Sequence, residues 1–369
     1  MNMKFESDFA GLLKQKLEEA LKQRGKVNIL IAGKTGVGKS TLVNAVFQGN
    51  LAETGDGRPV TKATRQIEKD GIPLSIFDTR GLEVSEYRNT VQDLEKLIQD
   101  KRKSEDPNQH IHIAWVCMME GSRRVEDAEI KLVEMLDKYI PVVGVITKSM
   151  SDNGFRQTVQ ELLPQARNVV RVLAKETVFD GGYTMPAMGL DNLVELTMTL
   201  VPETQRDALA AAQKVSINHK LKRAHAVVAG AALTAGGAGA TPLPFSDALA
   251  IIPIQVSMLA GISAAWGLPI STVFLGTLVS STITGSAGTI VGRAAVGALL
   301  KLIPGVGSVV GGAINAGVAS TLTTAFGEAY IAALYVLTKD NPDRIPTAEE
   351  IRDEFIRHLK ATKTKQEAD

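Results

Sequence analysis

The stretch VNILIAGKTGVGKS, residues 27–40, joins an apolar run to a glycine-rich loop. The run 27–32 predicts a buried strand, and the loop matches the pattern G-x-x-x-x-G-K-S/T that leads into a helix. Its glycines let successive backbone N–H groups point at a phosphate, and the helix adds the positive end of its dipole. Lys39 would supply charge to the phosphates, and the Ser40 hydroxyl would ligate Mg²⁺. The expected phosphate site consists of Gly33, Lys34, Thr35, Gly36, Val37, Gly38, Lys39, Ser40 and Thr41.

Four shorter motifs follow this loop in the order that a nucleotide site requires. DTRG, residues 78–81, follows a predicted strand, so Asp78 is expected to hold Mg²⁺ through water and the Gly81 N–H to sense the terminal phosphate. The polar segment RPVTKATR, residues 58–65, offers a threonine that would complete the metal shell. TK at 147–148 and LAK at 173–175 end two later strands. The five elements together indicate a nucleotide site.

Residues 27–202 resemble the bacterial Era-like and TrmE-like GTPases, because GKTGVGKS, PVTKAT, DTRG, TK and LAK stand where that family has its phosphate, switch and base-reading motifs. The resemblance implies GTP as substrate, Mg²⁺ as cofactor and hydrolysis to GDP and phosphate. It implies Lys39 and Thr64 as catalytic residues, with Thr61 as the alternative to Thr64. The implied metal ligands are Ser40, Thr64 and Asp78. The implied base contacts are Thr147, Lys148, Ala174 and Lys175.

Two positions depart from the family pattern. The guanine-reading motif requires an aspartate where this chain has Met150, and the nearest carboxylate is that of Asp152. Guanine would then be read by Asp152 in a rearranged loop or by backbone groups near Ala174, or base specificity would be relaxed. Leu82 stands where Ras-like GTPases place a water-orienting glutamine. Hydrolysis is therefore expected to be slow without an activating protein, a homodimer or a residue from elsewhere.

Alternation of apolar and charged stretches predicts the domain organisation. Residues 27–202 predict an α/β domain with a mostly parallel sheet and helices on both faces. The strands are predicted at 27–32, 74–77, 111–118, 141–146 and 168–173. Residues 203–223 predict a helical connector, 224–338 a hydrophobic all-α domain, and 339–369 a charged tail. Its last helix begins at a capping box of Thr347 and Glu350 and carries Ile351, Phe355 and Leu359 on one face.

Composition limits the classes of partner. Lys and Arg number 41 against 40 Asp and Glu, so charge gives no signal for nucleic acid. The single cysteine, Cys117, lies in an apolar run, which suits a reducing compartment. Residues 1–26 lack the long apolar segment of a secretory signal, so a cytoplasmic nucleotide domain is expected. They predict an amphipathic helix whose apolar face carries Phe5, Phe9, Leu12, Leu13, Leu17 and Leu21.

The region 224–338 contains three stretches without charge, 224–246, 248–292 and 302–327, each long enough to cross a bilayer. Two G-x-x-x-G spacings, at Gly288/Gly292 and Gly307/Gly311, favour close helix packing in a membrane. ATPLPFSD at 240–247 and LIPGVGS at 302–308 resemble a domain of unknown function that follows GTPase modules in bacterial inner-membrane-associated proteins. Membrane lipid is the expected partner, with an even number of crossings if the region spans. A soluble bundle of Ala/Gly helices, bounded or broken by prolines such as Pro253, is the alternative.

These observations leave two functional hypotheses. The first is a GTP-dependent switch coupled to a membrane-associated helical domain. The second is a soluble regulatory GTPase whose helical part is an interaction module for assembly of another complex. A P-loop kinase is disfavoured, because the sequence shows neither an acceptor site nor an arginine-bearing lid.

Overall fold

The computed structural model describes residues 15–16, 18–54, 56–61, 64–79, 87–238, 247–268 and 316–366. These residues form two compact units. One unit is Gly25–Ser216, and the other combines the described residues of Met1–Arg24 and Ile217–Asp369. The predicted connector 203–223 is divided between the units at Ser216, and the other predicted domain limits remain predictions.

A seven-stranded sheet organises the first unit. The strands are β1 (Val27–Ala32), β2 (Asp56–Pro59), β3 (Thr64–Glu68), β4 (Leu74–Thr79), β5 (Ile113–Met119), β6 (Val142–Thr147) and β7 (Asn168–Arg171). Their order is β2-β3-β4-β1-β5-β6-β7. The five strands from β4 to β7 in this order pair in parallel, whereas β2 and β3 form an antiparallel edge. The predicted mostly parallel sheet is confirmed. A separate ribbon pairs β8 (Thr177–Val178) with β9 (Thr184–Met185).

Helices cover both faces of this sheet because successive side chains of a strand point to opposite faces. The helices are α1 (Lys39–Val46), α2 (Leu51–Thr54), α3 (Tyr87–Arg102), α4 (Asp127–Asp137), α5 (Phe155–Leu162), α6 (Leu190–Leu200) and α7 (Glu203–Ala212). Ile29 and Ile31 of β1 share a core with buried residues of α1, α6 and α7. Leu30 and Ala32 share the opposite core with buried residues of α3, α4 and α5. The predicted α/β class with helices on both faces is confirmed.

The parallel strands place their carboxyl ends at one edge of the sheet, where nucleotide sites of α/β folds lie. The predicted strand at 27–32 has the observed limits, and the limits of the other four differ by two residues or fewer. The sequence does not predict β2 and β3, because the segment 58–65 is polar and lacks an apolar run.

The second unit is all-α in its described residues, as predicted. Residues 15–16 and 18–24 are helical, and the later helices of the unit are α8 (Ile217–Ala238), α9 (Asp247–Trp266), α10 (Ala316–Thr338) and α11 (Ala348–Gln366). The expected capping box begins α11, where the Glu350 carboxylate accepts the Thr347 N–H at 2.9 Å and the Thr347 hydroxyl accepts the Glu350 N–H at 3.2 Å. Ile351, Phe355 and Leu359 are buried in the core of the unit, as expected.

Close packing of α8 and α10 depends on Gly327, because a Cβ there would lie 2.5 Å from Cγ2 of Val228. Pro253 lies inside α9, although it was expected to bound or break a helix. Its missing N–H removes one helical hydrogen bond, and burial of Val256 and Leu259 beyond it offsets that loss.

Within the described ranges, no helix combines the length and apolar character that a bilayer crossing requires. Both G-x-x-x-G spacings, together with most of 248–327 outside α9 and α10, lie outside the described residues.

Candidate functional site

The loop between β1 and α1 depends on glycines with left-handed backbone angles. The φ angles of Gly33, Gly36 and Gly38 are +149°, +77° and +105°, a region that side chains with a Cβ rarely adopt. A Cβ on Gly33 would also lie 2.5 Å from the carbonyl oxygen of Cys117 in β5. Only glycine allows the loop to pass this close to the neighbouring strand.

Lys39 lies at the first position of α1, inside the curl of the loop. Its Nζ donates to the carbonyl oxygens of Gly33 at 2.7 Å and Lys34 at 3.2 Å. Gly38 caps the helix and has no side chain to satisfy the first N–H groups, which leaves them available to an anion. A cation and a helix N-terminus therefore meet at the predicted phosphate site.

The remaining loop residues differ in their surroundings. Lys34 forms an ion pair with Glu126, which precedes α4. Val37 is buried, whereas Thr35 and Ser40 are exposed and Thr41 is half-buried.

The TK motif at the end of β6 contacts the phosphate loop. The Thr147 hydroxyl donates to the Val37 carbonyl at 2.6 Å, and Lys148 Nζ donates to the Gly36 carbonyl at 2.9 Å. These contacts span more than a hundred residues of sequence and join two of the predicted motifs into one site.

Strands β3 and β4 carry the predicted metal ligands Thr64 and Asp78. Arg65 lies opposite Asp78 in the register, and its Nε is 3.3 Å from Asp78 Oδ2. Thr64 Oγ1 and Asp78 Oδ1 are buried and have no hydrogen-bond partner among the described residues. Buried polar atoms are normally satisfied, so these two oxygens are candidates for contact with a ligand. Thr61, the alternative metal ligand, accepts the Thr64 N–H with its Oγ1 at 3.0 Å.

Hydroxyl and carboxylate oxygens are the donors that Mg²⁺ prefers, so the residues present fit this cation. In the described part of the chain, no group of three or more His, Cys, Asp or Glu residues could hold another metal. Gly81 and Leu82 lie outside the described residues.

Residues 149–154 follow the TK motif, and we call them the base-facing loop because the sequence predicts base contacts beside them. Met150 is 38% exposed. The backbone N–H groups at positions 150–152 donate to the carboxylate of Glu120. Glu120 accepts the N–H groups of Met150 at 2.5 Å, Ser151 at 2.9 Å and Asp152 at 3.2 Å. Arg171 of β7 donates from Nη2 to the same carboxylate at 3.0 Å. The buried Glu120 carboxylate therefore holds the loop through three of its backbone N–H groups.

The environment of Glu120 explains how a buried carboxylate stays charged. Burial alone would raise its pKa, but the N–H groups of Met150 and Ser151 and the Arg171 guanidinium lower the pKa to about 2. Glu120 is thus ionised and fully engaged, and it is not available to accept the N–H groups of guanine.

Asp152 and the backbone near Ala174 are the alternatives that the sequence offers for reading guanine. Asp152 Oδ1 accepts the Arg156 N–H of α5 at 2.9 Å and lies 3.5 Å from Arg171 Nε. Asp152 Oδ1 therefore already accepts a hydrogen bond from within the protein. Ala174 is half-buried against the sheet core and Lys175 is exposed, and both follow β7 at the same edge of the sheet.

Sequence reasoning missed four charged residues of this site: Glu120, Arg123, Glu126 and Arg171. They belong to no nucleotide-binding motif. Glu120 lies two residues beyond the predicted strand 111–118, and Arg171 lies near the carboxyl end of the predicted strand 168–173, which is the one signal that could have identified them.

Two family models match the chain. Residues 28–148 match the model described as 50S ribosome-binding GTPase. Residues 204–361 match the model described as Domain of unknown function (DUF697).

Curated relatives resemble part of the chain. Septin-9 of Homo sapiens is 26% identical over 163 residues, which cover 37% of this chain and 28% of septin-9. The tRNA modification GTPase MnmE of Cupriavidus metallidurans is 41% identical over 80 residues, which cover 20% of this chain and 16% of MnmE. The chain thus spans less than a third of either relative. A solved structure of a probable GTP-binding protein engB aligns at 16% identity with a TM-score of 0.31, over 49% of this chain and 99% of engB.

Proposed function

We propose that this chain, a P-loop GTPase domain joined to a helical domain of unknown function, binds GTP with Mg²⁺ and hydrolyses it to GDP and phosphate. The observation that carries the proposal is the pair of buried oxygens, Thr64 Oγ1 and Asp78 Oδ1, that have no partner in the described residues. They accompany a phosphate loop in which Lys39 is the cation.

Each residue of the phosphate loop has a role in this reaction. The N–H groups at the start of α1 bind the phosphates. Lys39, whose Nζ rests on the Gly33 and Lys34 carbonyls, exchanges these contacts for β- and γ-phosphate oxygens. Lys39 thereby stabilises the charge that develops as the terminal phosphate leaves.

Ser40, Thr64 and Asp78 would hold Mg²⁺, directly or through water. When bound, Mg²⁺ neutralises charge on the β- and γ-phosphates. Arg65 pairs with Asp78 Oδ2, and Oδ1 has no hydrogen-bond partner among the described residues, so Oδ1 is the proposed contact to the metal or its water. Thr64 is the residue proposed to link the metal to the switch segment and so to hydrolysis.

Guanine is the proposed base, bound beside Thr147, Lys148, Ala174 and Lys175. The motif matches and the curated GTPase relatives support this part of the proposal. Met150 cannot form the bidentate bond of an aspartate, and one Asp152 oxygen is already bonded. Discrimination against ATP is therefore proposed to be weaker than an aspartate would give.

We further propose that the nucleotide state controls the helical unit at the cytoplasmic face of a membrane, with a homodimer or activating protein speeding hydrolysis. The charge-free stretches of 224–338 and the exposed Lys222 that precedes them support this proposal. A soluble regulatory GTPase with a helical interaction module is the competing form.

Lys39→Ala and Ser40→Ala are expected to abolish Mg²⁺-dependent phosphate release from GTP, because the first removes charge neutralisation and the second a metal ligand. Thr199→Ala, which removes an exposed hydroxyl outside the loop, is the matched control. Phosphate release by a coupled assay and circular dichroism together separate loss of activity from loss of fold. Full turnover by both variants would refute the site.

Met150→Asp is expected to increase the preference for GTP over ATP, because the new carboxylate can accept two guanine N–H groups. Hydrogen bonds to a charged group contribute about 1.5–3 kcal/mol, which corresponds to roughly 10- to 150-fold. Competition of GTP and ATP for a fluorescent GDP analogue measures the ratio, with Met150→Leu as control. An unchanged ratio would mean that another group already reads the base.

The membrane proposal predicts that the full chain sediments with vesicles of phosphatidylglycerol and phosphatidylcholine, because apolar surface and anionic lipid both favour binding. Vesicles of phosphatidylcholine alone separate the two contributions. Recovery of the chain in the supernatant with both kinds of vesicle would support the soluble form.

A further inference from the structure

The base-facing loop has a backbone conformation that requires external support. Asp152, Asn153 and Gly154 have consecutive φ angles of +38°, +47° and +79°. Asp152 and Asn153 carry a Cβ, and residues with a Cβ keep such angles only where surrounding contacts maintain them. The structure supplies these contacts from outside the five nucleotide motifs.

Glu120 binds the N–H side of this loop. Its carboxylate accepts the N–H groups of Met150, Ser151 and Asp152, and it is almost completely buried. Arg171 donates from Nε and Nη2 to Glu120 Oε1, at 3.2 and 3.0 Å. The acid is therefore held in place by Arg171 of β7, which lies two strands from β5 in the sheet.

Arg123 binds the carbonyl side of the same loop. Its guanidinium donates to the carbonyl oxygens of Asp152 and Asn153, the second at 3.0 Å. It also lies over the Phe155 ring, 5.0 Å from the centroid. Arg123 itself has a φ of +50°, so the turn that carries it is also constrained.

We propose that Glu120, Arg123 and Arg171 form a clamp that positions the base-facing loop for the nucleotide. The three residues act through the loop and are positioning residues, not catalytic ones. This inference rests on the proposed function, because it assigns the clamp to the base end of the same site.

The clamp has a specific energetic consequence. A loop that is ordered before binding avoids the ordering cost when the base binds against it. Inorganic tripolyphosphate carries no base, so its binding does not use the loop. Weakening the clamp should therefore reduce affinity for a nucleotide and leave affinity for tripolyphosphate unchanged.

Arg123→Ala tests this inference with the least risk to folding, because Arg123 is exposed. A non-hydrolysable GTP analogue and inorganic tripolyphosphate, each with Mg²⁺, compete in turn against a fluorescent GDP analogue on the full chain. We expect the GTP analogue to bind about tenfold more weakly, since two charge-assisted hydrogen bonds to the loop are lost. The affinity for tripolyphosphate should change less than about twofold, because the phosphate loop is not altered.

Arg124→Ala is the matched control, because the neighbouring side chain is of the same type and is also exposed. It should alter neither affinity. Arg123→Lys should recover part of the loss, since a lysine can still donate to one loop carbonyl. Turnover at saturating GTP should stay close to that of the unmodified chain, with the effect confined to KM.

The outcomes separate this inference from the function on which it rests. If the unmodified chain binds no GTP analogue, the proposed function fails. If it binds the analogue but Arg123→Ala weakens both ligands equally, or neither, the clamp is refuted and the function stands. Glu120→Gln provides a second readout, because amide exchange at 150–152 should accelerate when the carboxylate is neutralised.

Discussion

The close approach of Gly33 to strand β5 is the constraint on which the site depends. Because a Cβ at Gly33 would lie 2.5 Å from the Cys117 carbonyl, the phosphate loop can lie against the sheet edge only with glycine there. That placement brings Val37 and Gly36 within reach of Thr147 and Lys148 from β6. It also directs the start of α1 and Lys39 into the space that a phosphate would fill.

The same sheet edge explains how an incomplete base-reading motif is accommodated. The parallel strands β5, β6 and β7 end side by side, so Glu120 and Arg171 reach the loop that follows Lys148. The loop is held through its backbone by a charged network, whatever side chain occupies position 150. Under the proposed function, a methionine there would remove a guanine contact without removing the backbone hydrogen bonds that hold the loop. Loop order and base specificity would then be supplied by different residues.

The sequence predicts the parts of this protein that local patterns determine. The glycine loop, the five parallel strands and the capping box at Thr347 follow from motif and periodicity, and the structure agrees. The clamp does not follow, because Glu120 contacts residues 30 to 32 positions away, where neither motif nor period applies. The edge strands β2 and β3 and the helix through Pro253 form through tertiary packing that local preference does not reveal.

We propose above that the buried oxygens of Thr64 and Asp78 are part of a magnesium–nucleotide site. Calorimetric titration of the full chain with a non-hydrolysable GTP analogue, in Mg²⁺ and in a chelator, tests it most directly. The proposal predicts that Mg²⁺ tightens binding by about tenfold or more, and that Asp78→Asn removes most of this gain, because Asp78 would hold the metal and the metal would neutralise phosphate charge. Equal affinity with and without Mg²⁺, or no binding in either, would contradict it.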